Sequence, residues 1–410
     1  MPTEPSGHFR DETFESSCRC GCESPTENPP ALTNIRGPEE QGATFVELFF
    51  DLVFVFAVTQ VTAVLAHDLT LAGVTQALIL FWLVWWAWTQ YTWSLNEADT
   101  EHVSIRLITL VATALAFLMA VTIPLITSPF GWLFPLSYLV LRMVGISLQW
   151  RLAAGDSVWA RSVKTWTVLS SLGLLAIIAA VFLPPDRRIL ALGVAALLDL
   201  VAALGAGRGE WRLFSRHFSE RHGLFVIIVL GESLIAVGVT VTDQPLSAGL
   251  LLVSITAVAG SCALWWTYFG WAKDALEDGM KAQLPKTLGR YARDVYSFAH
   301  FPLIFGVIGF AVGVEEAIAH PVEPFSFPGA LALCLGIALI LGGTALALAR
   351  ARVRVPLARW WAIVVLLVAI PFLRALPAWG SLGLVSVLVA GLAMVEKSPH
   401  HDSGTPGISI

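Results

Sequence analysis

Charge is what this chain lacks. Asp, Glu, Lys and Arg make up only 13% of its 410 residues, against about 25% in a soluble domain. With 56% hydrophobic residues and a mean hydropathy of +0.73, this excludes an ordinary soluble globular fold and predicts an integral membrane protein. A basic surplus is missing too: the net charge of −5 sits mostly in tails and loops and points away from nucleic acid. Cysteine is scarce at five residues, and nothing in its spacing implies a disulfide. Signatures of soluble enzymes are absent. There is no Walker-type glycine loop, no dinucleotide fingerprint and no His-Glu-x-x-His pair. No apolar stretch follows a basic one near the start, so the first hydrophobic helix is expected to direct insertion itself.

Residues 1–44 are rich in Pro, Glu, Ser, Thr and Gly and poor in large apolar residues, which predicts a disordered tail. Within them Cys18, Cys20 and Cys22 alternate. Three thiols make an incomplete zinc set that His8 could complete, but a loose tail is the simpler expectation. Cys262 and Cys334 lie in apolar segments and read as small core residues.

About 20 apolar residues are needed to span the hydrocarbon. Twelve segments qualify: 45–66, 71–94, 105–126, 131–150, 165–183, 188–206, 222–242, 247–271, 291–314, 328–349, 356–376 and 378–395. Connections after odd-numbered segments are mostly short and uncharged, and those after even-numbered ones are longer and basic. Of the 25 Lys and Arg, only Arg187, Arg188 and Arg374 fall on the far side, and Arg106 and Arg142 lie within segments. The rest share the side of the N-terminus, which by the positive-inside rule is cytoplasmic, as is the C-terminus.

The chain also matches itself. Asp51–Thr59 aligns with Glu232–Thr240 at a lag of 181, and Trp85-Trp86 with Trp265-Trp266 at 180. The expected architecture is therefore all-α, a polytopic membrane protein of about twelve helices in two parallel six-helix repeats, 45–206 and 222–395. A basic cytoplasmic linker (207–221) joins them, and 396–410 forms a second cytoplasmic tail.

Acids inside hydrocarbon cost about 2.5–3.5 kcal/mol on insertion scales, so they stay where they face protein, water or an ion. Glu47 and Asp51 stand four apart on one helical face, and Thr62 returns to it three turns later. Glu47 could sit at the headgroup level and Asp51 could be a structural acceptor; the alternative is an ion or proton site. Glu232 lies about ten residues into its span, near the midplane, and is the most costly acid in the chain. Beside it, Gly231 allows close helix approach or a water pocket. In the ninth segment Pro302 is expected to kink the helix just beyond His300, leaving the imidazole near freed carbonyls. Asp294 belongs to the path or pairs with Arg290 or Arg293. Asp199 and Arg142 are further intramembrane ions, and an Arg142–acid pair competes with snorkelling. Tryptophan is abundant at 16, and Trp82, Trp86 and Trp93 form one stripe of the second segment. Interfacial anchoring is its commoner use, and binding of a cation or lipid by the ring faces is the other. Lys273, Asp274, Glu277 and Asp278 read as a solvated amphipathic turn.

The run Glu47-Leu48-Phe49-Phe50-Asp51-Leu52-Val53-Phe54-Val55, with Arg221-His222-Gly223-Leu224 leading to Gly231-Glu232-Ser233-Leu234, resembles the bacterial low temperature requirement A family. The resemblance extends from about Thr44 to the last helix and leaves out the cysteine-bearing tail. It implies a polytopic bacterial plasma-membrane protein linked to growth in the cold, without an agreed biochemical activity. A weaker resemblance joins Glu47, Phe49, Asp51, Phe54, Ala57 and Thr59 to the lysosomal potassium and proton channel family. That family carries a Phe-Ser-Asp motif where this chain has Phe50 in place of the serine.

Together these readings give an inner-membrane protein moving protons or monovalent cations along a path lined by Glu47, Asp51, Glu232, Asp294 and His300. No catalytic residue and no cofactor is expected. The partners are the lipid bilayer and the ion, and homo-oligomerisation stays open. A non-transporting protein of cold or stress adaptation and a lipid-modifying enzyme are the alternatives.

Overall fold

A computed structural model describes residues 42–206, 211–242 and 245–396; the cysteine run at 18–22 and His8 lie outside these. The described residues belong to one compact unit. The chain runs through α1 (Phe45–His67), α2 (Leu71–Leu95), α3 (Val103–Thr122), α4 (Leu133–Ala153), α5 (Ser157–Phe182), α6 (Pro185–Ala206), α7 (Ser215–Thr242) and α8 (Ala248–Phe269). Two short helices follow, α9 (Ala272–Lys281) and α10 (Pro285–Tyr291), and then a wider π-helical stretch, Ala292–Phe298. The remaining helices are α11 (His300–Ala319), α12 (Phe327–Arg350), α13 (Leu357–Leu373) and α14 (Ala378–Val395).

Ten stretches among the described residues are long and apolar enough to cross a membrane, where the sequence reading expects twelve. The other two expected segments, 222–242 and 356–376, fall on α7 and α13. As a 17-residue helix, α13 reaches only about 25 Å, short of the roughly 30 Å hydrocarbon layer. Large apolar side chains such as Leu172, Leu197, Val368 and Val387 stand exposed on outer faces, which suits helices whose solvent is lipid.

Local signals account for the helix starts. Asp156 caps α5 by accepting from Val158 N and Trp159 N, both at 3.0 Å; Ser247 caps α8 and Ser326 caps α12 in the same way. Each such cap contributes about 1 kcal/mol. The charged turn after α8 is the amphipathic helix α9, with Leu276 and Met280 buried and Lys273 and Lys281 reaching Glu277 at 3.3 and 2.7 Å.

Packing between α11 and α12 depends on missing side chains. A Cβ added at Gly306 would lie 2.4 Å from the Gly336 carbonyl oxygen, and one at Gly336 would lie 2.5 Å from Phe310 N. The backbones therefore touch, as small-residue spacing such as Gly309-x-x-x-Gly313 permits in membranes. Against this pair lie α1 and α7, so that α1, α7 and α11 pack on one another.

Three further carboxylates are held by arginines away from this interface. Arg142 meets Asp199 at 3.0 Å and donates to Tyr138 Oη at 2.7 Å. With 0% exposure it does not snorkel. Arg359 holds Glu396 at 2.5 Å and donates to the Thr267 carbonyl. Asp294 takes Arg293 at 2.6 Å and Arg350 at 2.8 Å.

Two expectations need correction. The irregularity does not lie beyond His300: it lies upstream in Ala292–Phe298, and Pro302 sits in the first turn of the regular helix α11 that follows. The tryptophans of α2 are not interfacial anchors. Trp85, Trp86 and Trp88 are 1%, 6% and 0% exposed, and three of the α2 indoles donate to polar groups in the protein interior. Trp85 donates to the Ser297 carbonyl at 2.7 Å, Trp93 to Ser297 Oγ at 3.1 Å and Trp88 to Asp51 at 2.7 Å.

Candidate functional site

Polar groups gather in the interface of α1, α7 and α11 at two levels. At the N-terminal level the one-turn spacing of Glu47 and Asp51 aims both carboxylates at a single guanidinium, that of Arg221 in the second turn of α7. Arg221 Nε and Nη2 meet the two oxygens of Asp51 at 3.1 and 2.6 Å, and Nη1 meets Glu47 at 2.5 Å. The fork geometry of arginine suits this bidentate contact, which the point charge of a lysine could not make. Trp88 Nε1 closes the third side of Asp51, and the Arg221 guanidinium stands 6.0 Å from the Trp88 ring centre. All three charged side chains are fully buried.

A further chain of bonds fixes His217. The Phe214 N–H donates to Asn96 Oδ1 at 2.7 Å, so the Asn96 amide nitrogen faces His217 Nδ1 at 3.0 Å and donates to it. Nδ1 is then an acceptor, and Nε2 carries the proton that His217 donates to Glu47 at 3.1 Å. Thr44 adds its N–H and hydroxyl to the same carboxylate oxygen, at 3.0 and 2.9 Å. Glu47 is thus bound inside the protein and not at a headgroup.

Two more histidines lie beside this cluster. His222 Nδ1 donates to the Phe218 carbonyl at 2.9 Å, and its Nε2 has no hydrogen-bond partner among the described residues. His300 Nδ1 donates to the Val295 carbonyl at 2.9 Å, a bond the wide π-helical turn makes available, and Nε2 accepts from Tyr268 Oη at 2.7 Å. The two imidazole centres are 5.5 Å apart.

At the second level, about 15 Å further along α7, Glu232 faces a recess of about 30 Å³ shared with Thr59, Thr62, Ser233, Val307 and Ile308. Thr59 donates to Glu232 at 3.0 Å, with the Val55 carbonyl as its alternative acceptor at 3.1 Å. No Arg, Lys or His stands within ion-pair distance of Glu232 among the described residues. Nothing would touch a Cβ at Gly231 within 4 Å, so that glycine borders open space and not a close helix contact. Between the levels α7 presents Phe225, Val226 and Val229, all buried.

Of the five expected path residues, Glu47 and Asp51 share one cluster, Glu232 borders a separate recess, and His300 lies buried near the first level. Asp294 stands apart in its arginine pairs. Sequence reasoning missed Arg221 as the partner of both acids, and with it Trp88, His217 and Tyr268. A signal for Arg221 was present: a buried pair of acids demands a base, and one stands next to His222 in the second motif. No group of three or more His, Cys, Asp and Glu placed to hold a metal occurs among the described residues.

Comparison with known proteins agrees with this frame. The family described as bacterial low temperature requirement A protein (LtrA) matches residues 42–394, from the residues before α1 to the end of α14. An uncharacterized protein of Rhizobium meliloti (strain 1021) is 28% identical over 352 residues, covering 82% of this chain and 84% of that protein. The match takes in both levels of the interface and omits residues 1–41. This chain belongs to the bacterial low temperature requirement A protein family.

Proposed function

We propose that the protein moves protons or small cations across a bacterial inner membrane along the interface of α1, α7 and α11. Glu232 is the exchanging carboxylate. The observation that carries this reading is the contrast in partners: each buried acid described above is matched to an arginine, and the half-buried Glu232 has, among the described residues, a threonine hydroxyl and an open recess. An unpaired carboxylate at membrane depth is costly, and it persists where an ion or proton completes it. In this arrangement the path is closed towards the N-terminal level by Phe225, Val226 and Val229 and by the Glu47–Asp51–Arg221 cluster. His222 and His300 stand on the closed side, and Asp294 serves its arginine pairs. Twelve spans with cytoplasmic termini, in two parallel six-helix repeats, fit the distribution of Lys and Arg.

The test is purified protein in liposomes with pH- and potassium-sensitive dyes. Glu232→Gln keeps the shape and one acceptor but removes the ionisable proton. It should abolish flux while leaving the unfolding temperature near that of the unmodified protein. Flux unchanged in Glu232→Gln would remove this residue from the path. The arginine matching of the remaining acids favours a second reading, a non-transporting membrane protein held together by ion pairs, for which the liposomes should show no flux at all.

A further inference from the structure

Away from that interface, α2, α4, α5, α6 and the π-helical stretch border a cavity of about 50 Å³ whose walls include Trp86, Trp93, Trp166 and Trp211. The same walls carry Thr89, Gln90 and Gln149. These three residues are 3%, 4% and 3% exposed, and Thr89 Oγ1, Gln90 Oε1 and Gln149 Oε1 have no hydrogen-bond partner among the described residues. The Gln90 amide is oriented by its own bond, since Nε2 donates to the Arg142 carbonyl at 3.2 Å; its oxygen is therefore the unmatched atom. Buried polar atoms without partners are rare and costly. Here three such oxygens line one aromatic space, with the unpartnered Trp86 Nε1 on the same wall.

We propose that this cavity binds a primary alkylammonium ion, its N–H groups donating to Gln90, Gln149 and Thr89 and its apolar body lying among the indoles. Three unmatched oxygens call for donors, and in a buried setting a charged donor forms the stronger bond. Cations already stand beside rings here: Arg142 is 5.8 Å from the ring centre of Trp166 in the cavity wall, and Arg293, itself in the wall, is 5.6 Å from that of Phe298 outside it. Neither arginine presents free charge. Arg142 is spent on Asp199, and Arg293, which also lines the cavity, is spent on Asp294 and the carbonyls of Ala203 and Leu204. The ammonium could come from a free amine or from an ethanolamine lipid headgroup.

Binding to the purified full-length protein in detergent is measured by calorimetry, with three probes at equal ionic strength: n-butylammonium, tetramethylammonium and n-butanol. Butylammonium should bind; tetramethylammonium, which has no N–H, and butanol, which has no charge, should bind at least about tenfold more weakly, the worth of one or two buried bonds. Gln149→Leu should weaken butylammonium by a similar factor, with the unliganded unfolding temperature showing whether the variant is intact. In nanodiscs, added ethanolamine lipid that competes with butylammonium identifies the headgroup as the source, and absence of competition identifies the free amine. Butanol binding as tightly as butylammonium, or no binding of butylammonium at millimolar concentration, overturns the proposal and leaves the cavity to water. The probe series on the unmodified protein decides the matter even if the variant does not fold.

Discussion

Asp51 and Glu232 hold matching positions when Asp51–Thr59 is aligned with Glu232–Thr240, yet the fold treats them in opposite ways. Asp51 accepts three bonds, two from Arg221 and one from Trp88, with no exposure. Among the described residues Glu232 accepts one, from Thr59, and it borders open space. The tryptophan pairs differ likewise: Trp85 and Trp86 are buried, whereas Trp265 and Trp266 are 39% and 56% exposed. Two helices of similar pattern thus do different work, because only the first is given a base and an indole to complete its acid. A carboxylate completed by protein fastens helices. One left incomplete is available to something that comes and goes.

The sharpest way to break this comparison is to remove the base. Arg221→Met strands two buried carboxylates, and losing one partner of a buried pair costs about 3–5 kcal/mol. Low yield and a large fall in unfolding temperature in detergent are expected. Neutralising all three groups together, Glu47→Gln with Asp51→Asn and Arg221→Met, should recover most of that loss, since the cost lies in unpaired charge and not in absent attraction. A triple variant as unstable as Arg221→Met would show that the cluster stabilises through its shape. By contrast Glu232→Leu strands no donor, because Thr59 keeps the Val55 carbonyl, and its unfolding temperature should stay close to that of the unmodified protein.

A smaller effect is expected at Trp88. Trp88→Phe keeps the ring packing against Phe225 but removes the bond to Asp51, a hydrogen bond to a charged group worth about 1.5–3 kcal/mol. Thermal unfolding should fall accordingly, with flux retained at temperatures where the protein is folded. An unchanged unfolding temperature would mean that Arg221 alone satisfies Asp51.

Much of this organisation was legible in the residues, and the part that was not has a physical reason. Hydropathy reveals helices of membrane length because a segment in lipid must satisfy its own backbone bonds. Glu47, Asp51 and Glu232 stood out because an acid in such a run is expensive wherever it lies. What the pattern could not show was pairing. Arg221 is 170 residues from Asp51, and nothing in helical periodicity says which face of α7 meets which face of α1. The same limit hid the fate of the α2 tryptophans, since an indole at a lipid interface and one donating to a buried carboxylate look alike in one dimension. It hid the position of the backbone irregularity as well. Pro302 marks a disturbance, but the wide turn at Ala292–Phe298 is set by its neighbours in space.

The smallest expected effect sharpens the comparison at its other end. Thr59 is the one side chain shown bonded to Glu232, and its hydroxyl proton has two acceptors within reach, the carboxylate and the Val55 carbonyl at 3.1 Å. Thr59→Val is nearly isosteric and leaves both acceptors without that donor. The carbonyl keeps its helical bond, so the unfolding free energy should change by only about 0.5 kcal/mol, at the low end for a single hydrogen bond. Flux should respond more strongly. If the hydroxyl holds the carboxylate in position for the ion, losing about 1 kcal/mol of that interaction slows flux roughly fivefold. Thr59→Ser, which returns the hydroxyl without the methyl group, should restore it. Flux that is kept in Thr59→Val and falls in Thr59→Ser would mean that the threonine acts by filling space beside the recess. The bond to Glu232 would then carry no part of the transport step.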